Sequence, residues 1–167
     1  MITLYHGSNM RIERIDLSFS RYYRDFGKGF YLTPDYGRAV RMATRTHEIR
    51  NFGTPTVNDF RFDRKSCGAE IRIKEFLFNT AEWALFILEN RYRNRINKFS
   101  HVFDIVIGPV ADSPVDITLR DYMLEFGNEY GKTENLELLA KKLIYPGKTY
   151  TQYCFCTEKS LKYLIKE

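Results

Sequence analysis

The sequence predicts an α+β domain, and three observations lead there. Apolar runs with strand character and amphipathic segments with helical spacing are both present, yet they do not alternate as regular βαβ units. The length, 167 residues, fits one domain, and a chain of that size buries roughly 70% of its unfolded surface. No repeat, linker, low-complexity block or abrupt change of composition divides the chain, so residues 1–167 read as a single domain.

Taken in order, Ile2 to Tyr5 is a short apolar run ending at His6-Gly7-Ser8, which reads as a first strand and its turn. Asn9 to Asp25 has no clean period and reads as an ordered loop carrying Arg21 and Asp25. The octapeptide Phe26-Gly27-Lys28-Gly29-Phe30-Tyr31-Leu32-Thr33 then joins two glycines, a short aromatic strand and a helix start. Gly27 and Gly29 either adopt positive φ or let a ligand approach the main chain. Thr33 reads as the N-cap and Pro34 as the first helical residue, which puts Tyr31 at a strand-to-helix junction. From Pro34 to about Ile49, Tyr36, Ala39, Val40 and Ala43 mark a buried stripe, with Arg38, Arg41 and Arg45 on other faces.

Thr56 to Phe62 and Ala69 to Ile73 read as strands. A helix begins near Ala81 with Thr80 as cap and Trp83, Phe86 and Ile87 inward. Its end, Arg91-Tyr92-Arg93-Asn94-Arg95, is basic, as suits a helix C-terminus. Phe103 to Ile107 is a buried strand stopped by Gly108-Pro109. Leu119, Tyr122, Met123 and Phe126 mark a helix ended by Gly127, and Leu136, Leu139, Ala140 and Leu143 mark the next. A turn at Pro146-Gly147, a strand from Gln152 to Cys156, and a helix from Thr157 carrying Leu161, Leu164 and Ile165 complete the chain.

With 26 basic and 21 acidic residues, the net charge of +5 fits an acidic partner, a nucleotide or a nucleic acid, and equally a solvated surface. The start lacks a basic segment followed by an apolar run, and no stretch is long enough to span a bilayer, so a cytoplasmic protein without membrane contact is expected. Three cysteines without regular spacing are no disulfide framework. Cys154 and Cys156 share a strand face, and buried thiols rather than a structural metal are expected there.

His6-Gly7-Ser8 after a first strand, Phe26-Gly27-Lys28-Gly29-Phe30-Tyr31 on a second, and Gln152-Tyr153 opening a late strand resemble the three motifs of the ADP-ribosyltransferases. The resemblance is closest to the clade of diphtheria toxin and the poly(ADP-ribose) polymerases, whose motif residues are His, Tyr and Glu. Over nearly its whole length the chain is also similar to a bacterial family of that superfamily, in which Phe-Gly-Lys-Gly-Phe-Tyr-Leu-Thr and a terminal Gln-Tyr-x-Phe-x-Thr-Glu-Lys pattern recur. The resemblance implies a split β-sandwich core with peripheral helices.

It also implies NAD as co-substrate, and the chemistry gives each residue type a reason. Cleavage of the nicotinamide glycosidic bond passes through an oxocarbenium-like state, so the enzyme must hold the ring and favour positive charge on the sugar. By resemblance, His6 hydrogen-bonds the adenosine ribose, Gly7 offers its backbone N–H and C=O to the nicotinamide amide, and Tyr31 stacks on the nicotinamide ring. Ser8 either adds a hydrogen bond near that ribose or caps a turn. Phe26, Gly27 and Gly29 belong to the cofactor-binding stretch.

Two positions depart from the pattern. Where relatives carry a second aromatic on the helix after the second motif, this chain has Met42, which either packs on the ring through its thioether or fills the helix face; Ala39 stands near the place of a small hydroxyl residue. Gln152 stands in the place of the catalytic glutamate and keeps hydrogen bonding without charge. Such groups contribute on the order of 3 kcal/mol to transition-state stabilisation. Processive synthesis is therefore not expected, and single transfer is. Glu158 lies too far along the strand to substitute and suits the N-terminus of the last helix. Asp25 is the better acid to act near the ligand, and Arg21 suits the pyrophosphate; both are equally compatible with ordinary surface pairing.

The expected function is thus NAD-dependent mono-ADP-ribosyl transfer to an unknown acceptor, protein or nucleic acid, by a toxin-like effector held by an inhibitory antitoxin protein, with His6, Tyr31 and Gln152 as the catalytic set. The alternative is a catalytically weak module that binds NAD, ADP-ribose or nucleic acid, which Gln152, Met42 and the interspersed aromatic and basic residues favour.

Overall fold

The computed structural model describes residues 1–93, 100–144, 147 and 149–167. Among these residues seven strands form two sheets. One sheet is antiparallel, with β3 (Thr56–Phe62) between β1 (Ile2–Ser8) and β7 (Leu164–Lys166). The other runs β2 (Phe30–Leu32), β6 (Thr151–Phe155), β5 (Ile105–Pro109), β4 (Ile73–Glu75), antiparallel except for the parallel β4–β5 pair. With helices beside both sheets, this is the α+β class expected.

Apolar residues close the space between the sheets: Leu4, Phe60 and Phe62 of the first meet Phe30, Leu32, Ile105, Ile107 and Phe155 of the second. A second core covers the other face of the β2–β6–β5–β4 sheet, where Cys154 and Val106 pack with Trp83 and Ile87 of α2 (Ala81–Leu88), Leu119 and Tyr122 of α3 (Val115–Phe126) and Leu136 and Leu139 of α4 (Thr133–Lys142). β6 is buried on both faces, which is why Tyr153-Cys154-Phe155 reads as a nearly continuous apolar run.

The remaining long helix, α1 (Tyr36–Arg50), lies on β1. Thr33 is not its cap. Thr33 stays extended because its N–H and C=O both pair with Tyr5, so the helix begins after Asp35, whose carboxylate accepts the Arg38 N–H at 2.7 Å. The Thr33 hydroxyl accepts the Asp35 N–H and donates to the Thr151 carbonyl, both at 3.2 Å. The buried stripe is also narrower than predicted: Ala39 and Ala43 face β1, while Tyr36 and Val40 are exposed. The helix sits so close to Gly7 that a Cβ there would lie 2.1 Å from the Ala39 carbonyl oxygen.

Other boundaries move for identifiable reasons. β1 continues through His6-Gly7-Ser8, because β3 supplies partners as far as Thr56. The strand expected at Ala69–Ile73 starts at Ile73, after a turn closed by the Ile71 N–H on the Gly68 carbonyl. β5 runs through Gly108 and Pro109, a tolerated proline because it is the terminal residue. The last predicted helix is a single turn, α5 (Glu158–Leu161), and Leu164–Lys166 is a strand. The outer edge of β3 supplies hydrogen bonds to that segment, and these outcompete a weak helical period. Of the predicted basic helix end, Asn94 and Arg95 lie outside the described residues, as does Pro146 of the predicted turn.

Candidate functional site

Among the described residues the two sheets are joined at one backbone bridge, and there they part. Tyr5 and Thr33 exchange hydrogen bonds of 2.8 and 2.9 Å. Successive residues of a strand aim their N–H and C=O at opposite edges, so Gly7, two residues after Tyr5, aims its pair at β2 as Tyr5 does, and Gly7–Val57 is a non-hydrogen-bonded pair of the β1–β3 ladder. Continued in antiparallel register, the bridge would set Gly7 opposite Tyr31. No ladder forms there, and the Gly7 N–H and C=O have no backbone partner among the described residues. The Gly7 N–H and C=O are thus a donor and an acceptor on an edge of β1 that β2 leaves unpaired, and this parting of the two strands is called the slot below.

The His6 imidazole occupies the other side of this slot. Nδ1 lies 2.7 Å from the Tyr31 carbonyl, and the ring stacks on Phe30 at 4.4 Å between centroids. Because the partner is a carbonyl, Nδ1 carries the proton and Nε2 of the neutral ring is an acceptor. Burial holds the His6 pKa below the ordinary value, opposed by the Tyr31 carbonyl and assisted by Arg50. The unfolded chain protonates at about pH 6.5 and the folded one lower, so between those values the unfolded state binds more protons. The contribution of His6 to stability is therefore complete above about pH 6.5 and is lost as the pH falls from there through the folded value. Urea midpoints taken from about pH 7.5 to about pH 5 should decline less steeply in His6→Gln than in the wild type; equal slopes would remove His6 as the cause.

Tyr31 is half-buried, and its side chain projects to the face of β2 that also carries Gln152 and Cys154 on β6. Its hydroxyl accepts the Phe26 N–H at 3.0 Å and donates to the Gly27 carbonyl at 2.7 Å. Burial, with Cys154 and Asp25 nearby, pushes the phenol well above the ordinary range, so it remains a donor. The octapeptide is thus folded back on its own tyrosine. This clamp fixes the neighbouring Asp25.

Asp25 is 5% exposed and Gln152 9%. The Gln152 Nε2 donates to the Asp25 Oδ2 at 2.8 Å and to the Pro109 carbonyl at 3.3 Å. The Arg91 Nε donates to the Asp25 Oδ1 at 2.7 Å, the Ala111 N–H approaches Oδ2 at 3.4 Å, and the Arg91 Nη1 reaches Asp116 at 3.2 Å. Gln152 is thereby wired to a buried carboxylate that carries its own counter-ion.

The family model described as Protein of unknown function (DUF3990) matches residues 2–165. The chain belongs to this family. Neither the curated proteins nor the solved structures give a match. The DUF3990 span takes in both lips of the slot and the whole Asp25–Gln152–Arg91 network.

The other predicted site residues divide. Met42 is half exposed, and its Cβ lies against Gly7, so it borders the slot. Ser8 is half-buried at the end of β1 opposite Thr56 and caps no helix. Arg21 lies on the exposed loop before Asp25, with no ion pair among the described residues. Phe26 is a correction: its ring is fully buried against Phe76 and Phe86, and its carbonyl faces the His101 Nε2 at 2.9 Å. Protein atoms fill the space beside Gly27 and Gly29, and of the two alternatives the positive φ is the one that Gly27 takes. Gly27 has φ 78° and stands against the Asn90 amide, and a Cβ on Gly29 would lie 2.4 Å from the Cys154 Sγ. Cys154 is buried, which raises its thiol pKa, and lies 3.3 Å from the Cys156 Sγ. Arg91 and Pro109 of the network, and His101 beside Phe26, carry no sequence signal beyond the basic run that starts at Arg91, which a helix C-terminus also explains.

Two surface hollows, of about 650 and 320 Å³, are lined by none of His6, Gly7, Tyr31 and Gln152; the smaller is walled by Arg91 and Asp116. No helix among the described residues is long and apolar enough to cross a membrane.

Proposed function

We propose that this DUF3990 chain is an NAD-dependent mono-ADP-ribosyltransferase with the split β-sandwich core of that superfamily. The observation that carries the reading is the open Gly7 N–H and C=O facing Tyr31 where β1 and β2 part. A primary carboxamide such as that of nicotinamide presents one acceptor and one donor in the same plane, and it complements that pair. The Tyr31 ring and Met42 then border the nicotinamide, and the Nε2 of His6 accepts a hydrogen bond from a ribose hydroxyl. As the C1′–N bond breaks, its electron pair leaves with nicotinamide and neutralises the pyridinium. The acceptor attacks C1′ and loses its proton, so one ADP-ribose is transferred.

Glutamine at position 152 supplies no charge of its own, which limits the reaction to single transfer. The same feature favours the second reading, a module that retains NAD or ADP-ribose intact. A toxin-like role, an inhibitory partner protein and a cytoplasmic location belong to the transferase reading. Purified protein incubated with NAD should release nicotinamide, measured by chromatography, and His6→Ala should lower the rate by on the order of tenfold to a hundredfold. Calorimetric NAD binding without nicotinamide release would establish the module instead. Neither binding nor release at high protein concentration would end both readings.

A further inference from the structure

The buried amide of Gln152 has one orientation. Both of its near neighbours, the Asp25 carboxylate and the Pro109 carbonyl, are acceptors, so the side facing them is the NH2 group and Oε1 is turned away. Asp25 in turn is held from three sides. The Arg91 Nε and the Ala111 N–H reach its oxygens, and the Tyr31 hydroxyl fixes the backbone immediately after it. A carboxylate accepts from both Arg91 and Gln152 at once. An amide of the same size must turn a donor toward one of them.

We propose that Asp25 is the positioning residue for the reaction, locking the Gln152 carboxamide so that Oε1 rather than Nε2 meets the ribose hydroxyl of NAD. The inference rests on the transferase reading. It also explains why position 152 is not a glutamate here: with Asp25 2.8 Å away, a second carboxylate would face a buried like charge. The two positions are chemically coupled, and an exchange of their groups restores the contact between them and the contact with Arg91, while the Ala111 N–H and the Pro109 carbonyl lose their partners. With Asn at 25, Oδ1 accepts from Arg91 and Nδ2 donates to a carboxylate at 152.

The test is nicotinamide release and NAD affinity measured for wild type, Asp25→Asn, Gln152→Glu and the double variant, each checked for a cooperative melt. Asp25→Asn should lower kcat by on the order of tenfold to a hundredfold, as misorientation of a reacting contact does, while the NAD dissociation constant stays within about threefold. The double variant should exceed Asp25→Asn in kcat, and Gln152→Glu alone should fall below the double variant. Wild-type kcat in Asp25→Asn, or a loss of affinity equal to the loss of kcat, overturns the proposal. If Asp25→Asn does not fold, the comparison of Gln152→Glu with the double variant decides, and equal kcat values overturn it. A wild type that releases no nicotinamide removes the transferase reading and this inference together, whereas an active wild type with an indifferent Asp25→Asn removes the inference alone.

Discussion

Arg91→Ala is expected to destabilise the fold by about 3–5 kcal/mol, the cost of leaving a buried carboxylate without its counter-ion. Asp25 is 5% exposed, and its Oδ1 receives the guanidinium Nε at 2.7 Å; the Arg91 side chain itself is 15% exposed. Other ion pairs of the molecule, such as Arg11–Glu13 with both side chains more than two-thirds exposed, contribute about 0–1 kcal/mol and make an internal reference. Urea denaturation of Arg91→Ala and Arg11→Ala separates the two cases. Arg91→Met combined with Asp25→Asn should regain a good part of the loss, because no orphaned charge remains. A loss below about 1 kcal/mol in Arg91→Ala would place the pair in the exposed class and remove the physical basis for a fixed Asp25.

The second large effect is expected at Gly7. A Cβ there would lie 2.1 Å from the Ala39 carbonyl oxygen, 2.6 Å from the Ala43 nitrogen and 2.9 Å from the Met42 Cβ. Two of these are backbone atoms of α1, which cannot turn aside as a side chain would. Gly7→Ala therefore forces the helix off β1, at about 3 kcal/mol, the upper end of the overpacking range. At 2–4 °C per kcal/mol for a chain of this size, the melting temperature should fall by roughly 6–12 °C. The helix also carries Met42 to the slot, so NAD affinity should weaken in the same variant. A melting temperature within about 2 °C of wild type would mean that α1 is not seated as described.

Gly7 also illustrates how the sequence conveys and conceals. His-Gly-Ser was legible as a motif after the first strand, and where β1 and β2 part it leaves the Gly7 edge unpaired. Its contact with Ala39 and Ala43 was not legible, because nothing local to residues 6–8 says which helix will lie over them. Phe26 shows the reverse error. The resemblance put it in the cofactor-binding stretch, but the turn before β2 sets its ring against Phe76 and Phe86. Leu164 and Ile165 failed for a third reason: a segment of three residues takes whichever structure its neighbour offers, and the open edge of β3 offered a ladder.

Local chemistry settled those features in which the partners are near in sequence: the turn-forming Gly127 after α3, the Thr80 cap of α2, the aromatic strand Phe30–Leu32, and the amphipathic spacing that marks α2, α3 and α4. Composition and order of residues also determined the mixed α+β class. Tertiary structure alone decided that Asp25, Arg91 and Gln152 share one buried network, across separations of 66 and 127 positions. It alone decided that β1 and β2 separate after a single bridge. Those outcomes depend on which faces and edges the completed cores leave unpaired, and a hydrogen-bond donor has no partner assigned to it until the chain has closed.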